Sequence, residues 1–343
     1  YLNHLFIEFA ALCTILLTGI ACWRIFGLLS DRVMRFRPGP TLLVMIGIWT
    51  ISCLGLTARL LGPLNSSLLP WVGLLLVGFS ACLVWIKYRN MLPRLLTPSD
   101  WRNLFLVSLL LVPFNTGVWG WDAGLYHISK GLQFAQTENI SGMALVNTRF
   151  GFNPLTDIWH ALMLSVGVGN FAFYVLNDLL LVVLALFLLE LISRSDSKES
   201  FTVVLIFTVL FILANGTVNF ADRGVADFAA MALTSMAYIC FFILMLSASK
   251  TDMSSDARLR IFVTGGLVVV LACIVKVNSA PLFVFFLIWW LAQCKRGELI
   301  RSGVGLFLMA SLLSVLWLYS NYTISGCWLY PADFTCRSME HPQ

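Results

Sequence analysis

Residues 261–294 read IFVTGGLVVVLACIVKVNSAPLFVFFLIWWLAQC, an almost unbroken apolar run of 34 residues. As one helix it would reach about 51 Å at ~1.5 Å per residue, well beyond the roughly 30 Å hydrocarbon core of a bilayer. The run must therefore break, and Asn278, Ser279 and Pro281 are where it can, because proline lacks an amide donor and clashes with the turn before it. Two crossings result, 261–278 and 281–294.

The rest of the chain has the same character. Of 343 residues, 59% are hydrophobic and 11% charged, with a mean hydropathy of +0.88. Soluble domains are about 25% charged, so the composition excludes a water-soluble enzyme, a disordered tail and a nucleic-acid-binding module. Further apolar runs fall at 5–29, 41–62, 68–88, 103–121, 171–192, 201–219, 225–248 and 302–322, which makes ten expected spans. The segment 154–169 is apolar but cannot be a further crossing without upsetting the alternation, so it is expected to be a short interfacial or re-entrant helix. The predicted fold is an all-α polytopic transmembrane bundle of about ten spans, with interfacial helices in its long external loop.

Charge placement orients this bundle. Loops 30–40, 87–102, 193–200, 249–260 and 295–301, with Arg24, hold 16 of the 22 Lys and Arg residues. The alternate loops hold Arg59, Lys130, Arg149, Arg223, Lys276 and Arg337. By the positive-inside rule the first set is cytoplasmic and both termini are expected outside. The same rule accounts for the net charge of +5 without an acidic partner such as nucleic acid. The first residue is Tyr1 and the chain ends soon after a span, so residues are expected to be missing at one or both ends. No cleavable signal is expected.

Chemistry-bearing residues concentrate in the external set. Asp122 follows the aromatic group Trp119 to Trp121 at the end of a span. A carboxylate partly desolvated there can act as a general base; capping a helix that starts at Ala123 is an equally good role for it. Tyr126 and His127 come one turn later, and the histidine serves either as a second catalytic group or as a structural hydrogen-bonding residue. Arg149, in NTRFGFNP, suits a lipid phosphate or an ordinary headgroup contact. The turn NGTVNFADRGVADF at 215–228 packs Asp222, Arg223 and Asp227 together. Arg223 and Asp227 can pair at i, i+4, or the two carboxylates could line a cavity and bind a divalent ion such as Mg2+ or Mn2+.

Lys276 is the most anomalous cation, set at the external end of a span beside the break at Asn278 and Ser279. Such residues face a bundle interior or snorkel to headgroups. A lysine there would suit a phosphate leaving group. Cys327 and Cys336 are both external and are expected to form a disulfide, whereas seven other cysteines lie in or near apolar helices. The sequons at Asn65, Asn139, Asn215 and Asn321 are short enough to arise by chance. Glu190 is expected to be solvated at a cytoplasmic helix end, and Asp178 to lie deeper and face the cavity.

The motifs WDAGLYH, RFGFNP, KVNSAP and SGCWLYPADFTC, in that order from Asp122 to Cys336, resemble a family of bacterial multi-pass membrane proteins of largely uncharacterised function. That family is similar to the GT-C glycosyltransferases, which take a sugar from a polyprenyl-phosphate carrier on the non-cytoplasmic face. The resemblance implies N-terminal helices over 1–102 and a GT-C-like core over 103–343. It implies Asp122 as base and Arg149 and Lys276 as phosphate ligands. Tyr126, Asn153, Asp222, Arg223, Asp227, Asn278 and Tyr330 complete the implied substrate-binding set. The implied partners are the bilayer and a lipid-linked sugar, in a bacterial inner membrane. One departure stands out: the acidic loop of GT-C enzymes usually follows the first transmembrane helix, and Asp122 follows the fourth. A transporter of a lipid-linked substrate and a non-catalytic subunit of a membrane complex are the alternative readings.

Overall fold

The computed structural model describes residues 2–29, 38–64, 97–110, 123–137, 141–152, 154–194, 202, 206, 226–249, 254–293 and 297–337. The expected spans at 68–88 and 201–219, apart from positions 202 and 206, lie outside these residues, as does the second half of the span at 103–121. The described helices are α1 (Leu2–Leu29), α2 (Pro40–Leu61), α3 (Pro98–Leu110), α4 (Ile128–Gln136), α5 (Met143–Val146), α6 (Leu155–Ser165), α7 (Val175–Arg194), α8 (Ala226–Ser249), α9 (Ser255–Val275), α10 (Ala280–Gln293) and α11 (Gly297–Ser325). Among the described residues there is no strand, only one antiparallel bridge between Cys327 and Cys336.

Among the described residues five stretches are long and apolar enough to cross a bilayer: Pro40–Leu61, Val175–Ile192, Ala226–Met245, Asp256–Val275 and Gly303–Ser325. The outward faces of α10 and α11 carry exposed Phe285, Ile288, Phe307, Leu308 and Val315, which suit hydrocarbon and not water. Hydroxyls inside the helices turn back onto their own backbone: Thr14, Thr18, Thr50, Ser52 and Thr57 each donate to the carbonyl four residues earlier. No hydroxyl of that set is then left to seek water it cannot reach. The long apolar run breaks where the sequence requires. α9 ends at Val275, a 3-10 turn covers Val277–Ser279, and α10 begins at Ala280 with Pro281 in its first turn.

α2 is the central helix and packs against α1, α6, α7, α9 and α11. Its Trp49 indole donates to the Met309 carbonyl of α11 at 3.1 Å. At the α1–α2 contact Gly19 and Gly47 face each other so closely that a Cβ on either would collide with a carbonyl oxygen of the other helix. Small residues at a crossing let two backbones touch, which is the main source of attraction between helices in lipid.

This contact also fixes direction. Cys22 Sγ lies 3.3 Å from Thr50 Oγ1, and Gly19 lies against Gly47, so both helices advance together and α1 runs parallel to α2. The alternating pattern requires an antiparallel pair, and the structure corrects it here. The start of α1 consequently lies at the end of the bundle opposite the tail at 326–337, not beside it. Hydropathy marks a segment as apolar but carries no information about which way it runs.

Apart from α1, described segments that the charge pattern expects outside meet one another. Arg59 Nη1 donates to the Thr137 carbonyl at 3.0 Å, Gly142 N donates to the Thr323 carbonyl at 3.3 Å, and Lys276 pairs with Asp227. All six come from segments expected outside. At the other end Glu190 Oε2 accepts from the Thr41 amide at 3.1 Å. Glu190 is therefore buried rather than solvated, a carboxylate of α7 capping the N-terminus of α2 in place of a local side chain. Gly39 is the residue that makes room, since a Cβ there would collide with that carboxylate. α3 begins at the same end with Thr97 and Asp100 capping reciprocally, at 3.1 Å and 2.7 Å.

The parallel packing is testable by cross-linking. In a Thr50→Cys, Cys53→Ala chain, mild oxidation in membranes is expected to join positions 22 and 50 in most molecules, seen as a linked peptide by mass spectrometry. In an antiparallel pair with Gly19 opposite Leu43, the two positions would be about ten residues, or roughly 15 Å, apart along the axis, and no link would form.

Candidate functional site

The segment after Asp122 opens as a π-helical turn, Ala123–His127, and continues as α4. Its buried positions are His127, Lys130, Gly131, Phe134 and Ala135, a stripe at helical spacing that includes two ionisable side chains. α6 is buried along nearly its whole length, Asp157 and His160 included. Gly131 sits at the α4–α6 contact, where a Cβ would come within 3.0 Å of the His160 Cβ and 3.2 Å of the Phe173 ring. Two stripes of ionisable residues are thus pressed together away from water.

Their geometry is that of a charge network. His127 Nδ1 lies 2.6 Å from Asp157 Oδ1, and Lys130 Nζ lies 3.3 Å from Asp157 Oδ2. The second distance is an ion pair without hydrogen-bond alignment, since neither Nζ nor Oδ2 has a hydrogen-bond partner. Lys130 Nζ also lies 5.4 Å from the Phe134 ring centroid, and the Arg59 guanidinium lies 4.7 Å from the same ring. A cation over an aromatic face recovers part of its lost hydration. Trp159 of α6 donates to Ser52 of α2 at 2.9 Å, which ties the network to the central helix.

Burial alone would push the Asp157 carboxyl up, but His127 and Lys130 together hold it below the usual carboxylate range. Burial pulls the Lys130 ammonium down, and the Asp157 carboxylate opposes that pull. His160 is also lowered by burial, to about 4, against the attraction of Asp157. It is neutral at pH 7 and its Nδ1 has no hydrogen-bond partner. The arrangement can hold one anion in a dry site and fix the imidazole beside it.

Beside the network stand two aromatic rings and an exposed cation. The Tyr126 ring lies 4.2 Å from the His127 ring, and the exposed Arg149 guanidinium lies 5.9 Å from the Tyr126 ring centroid. Arg149 stands on a 3-10 turn, Thr148–Gly151, whose Gly151 accepts the Tyr330 ring so closely that a Cβ would lie 2.5 Å from Tyr330 Cζ. Phe152 meets Tyr330 edge-on at 5.2 Å. The tail carrying Tyr330 is closed by the expected Cys327–Cys336 disulfide.

The structure therefore brings Tyr126, His127, Arg149 and Tyr330 together and adds Lys130, Asp157 and His160. The His127 ring is buried against α6 and hydrogen-bonded to Asp157, as a structural role for it requires. Lys276 and the exposed Asp227 form a separate pair at the same end, so Asp227 is engaged with Lys276 while its expected partner Arg223 lies outside the described residues. Asn278 is exposed in the turn beside Lys276. Asp122, Asn153 and Asp222 also lie outside the described residues. Among the described residues no three His, Cys, Asp or Glu side chains gather as metal ligands. Asp157 escapes the sequence reading because its segment looks uniformly apolar. The available signal was the DIWH spacing on α6 facing HISK at the start of α4, two ionisable pairs at i, i+3 within helical stripes.

Fold and site together define a polytopic α-helical membrane protein with a buried charge network at one end. The chain belongs to the family described as a domain of unknown function, DUF8201, which matches residues 3–341. No curated protein and no solved structure matches it.

The neutrality of His160 has a thermodynamic consequence. The unfolded chain binds a proton at this residue near pH 6.5 and the folded chain only near 4. Its contribution is complete above 6.5 and is lost as pH falls toward about 4, on the order of 3 kcal/mol in full. Thermal unfolding in detergent is expected to show a midpoint falling across this window, with a shallower slope in His160→Gln.

Proposed function

We propose that the chain is a membrane glycosyltransferase of the GT-C kind, which moves a sugar from a polyprenyl-phosphate carrier to an acceptor on the non-cytoplasmic face of a bacterial inner membrane. Its product would be a cell-surface polysaccharide or glycolipid. The observation that carries this reading is the convergence at one end of the bundle of segments far apart in sequence: the 123–152 platform with Arg149 exposed, the Asp227–Lys276 pair, and the disulfide-closed tail with Tyr330. The scarcity of basic residues in these segments supports assigning this end to the non-cytoplasmic side.

In this reading a lipid-linked sugar approaches from the bilayer with its phosphate among Arg149 and Lys276. Asp227 orients the Lys276 ammonium until phosphate competes for it. Asp222, Asn153 and Asn278 contact sugar hydroxyls, with Mg2+ or Mn2+ at Asp222 as an optional aid, and Tyr126 and Tyr330 offer ring faces. The acceptor hydroxyl attacks the anomeric carbon opposite the leaving phosphate, so the configuration inverts. Either Asp122, which directly precedes the π-helical turn, or His127, which ends it, takes the acceptor proton. The ten-span GT-C-like core belongs to the same proposal.

Replacing Asp122 by Asn and His127 by Gln in one chain tests the reading in cells, because one of the two takes the acceptor proton. The expected result is a surface glycan reduced roughly 10²-fold or more, with its lipid-linked precursor accumulating at normal protein level. Unchanged glycans and precursors would overturn the enzymatic reading in favour of a transporter or a structural subunit.

A further inference from the structure

We infer that Asp157 is a positioning residue that makes His127 the proton acceptor of this site; the identity of the proton's donor rests on the transferase reading. Two observations carry the assignment. The His127 side chain keeps 4% of its surface exposed, while those of Asp157 and Lys130 have none, and His160 as a whole keeps 1%. Of the four network members His127 is the most exposed. The second observation is the 2.6 Å contact of its Nδ1 with Asp157 Oδ1.

An ionised carboxylate can only accept a hydrogen bond, so neutral His127 carries its proton on Nδ1 and presents a bare lone pair at Nε2. Lys130 at the other carboxylate oxygen keeps Asp157 ionised in a place where burial would otherwise protonate it. The network thus has a division of labour: Lys130 holds the charge on Asp157, Asp157 holds the tautomer of His127, and Nε2 is the nitrogen not bonded to the carboxylate, on a ring 4.2 Å from that of Tyr126. His160, too weakly basic to compete, stays neutral.

The step balances without a further reactant. The acceptor oxygen forms its bond to the anomeric carbon while its proton passes to His127 Nε2. The carbon–oxygen bond to the carrier phosphate breaks, and its electron pair leaves with the phosphate. The imidazolium, stabilised by Asp157, then releases its proton to water.

The chain has four histidines, so 15N-histidine labelling of the full protein in nanodiscs can resolve the ring of His127. The expected spectrum shows neutral His127 in the Nδ1–H form, and diethyl pyrocarbonate is expected to modify His127 but not His160. In Asp157→Asn the amide can donate to Nδ1, so the Nε2–H form should appear and modification should fall at least tenfold. A wild-type His127 that resists the reagent, or rests in the Nε2–H form, would overturn the assignment even if no variant folds. These readouts need no turnover. If they hold while the Asp122→Asn, His127→Gln chain leaves glycans and precursors unchanged, the transferase reading fails and the tautomer that Asp157 imposes on His127 stands.

Discussion

An ionised carboxylate sealed from water at the end of a hydrophobic bundle is the constraint on which the described architecture of the site depends. A buried charge costs several kcal/mol in lost hydration unless opposite charge and hydrogen bonds surround it. Asp157 meets that requirement with His127 and Lys130, both from the segment that follows Asp122. The carboxylate therefore dictates how α4 must lie on α6, which face of α4 turns inward and where the open side of the turn points. Phe134, shared by Lys130 and Arg59, extends the arrangement to the last turn of α2.

Such a network is a poor way to gain stability. Well-packed apolar residues of similar volume often do as well or better, while removing a single partner leaves a charge stranded. Its presence in a bundle with abundant apolar alternatives argues for a purpose other than cohesion. Holding one imidazole in one tautomer beneath an exposed arginine is a purpose that these distances satisfy.

Much of this was legible in the sequence, for physical reasons that differ from residue to residue. The break after Val275 follows from a length that a bilayer cannot accommodate and from Pro281. The gathering of Arg59, Thr137, Thr323 and Lys276 at one end follows from the charge alternation of the loops. The Cys327–Cys336 bridge follows from where the two thiols lie. What was hidden depends on neighbours and not on composition. The direction of α1 rests on a glycine contact with α2, and hydropathy scores α1 equally in either direction. Glu190 looked like a solvated helix end until the orphan amides of α2 were found beside it. Asp157 and His160 sit in a helix that is apolar on average, and only the facing stripe of His127 and Lys130 gives them meaning.

The same distinction bears on how the site can work. Arg149 and Lys276, read from the sequence as isolated cations, are held differently in the fold: one stands over an aromatic ring and the other on a carboxylate. An aromatic face and an exposed carboxylate are weak competitors for a cation beside an anionic phosphate. Lys130 is the opposite case, with its charge committed to Asp157 and closed to solvent. The bundle end thus separates cations that can receive a ligand from a cation that only sets the state of another side chain. An anionic lipid headgroup would meet the first kind, at the surface, while its reacting neighbour met the imidazole that the second kind controls.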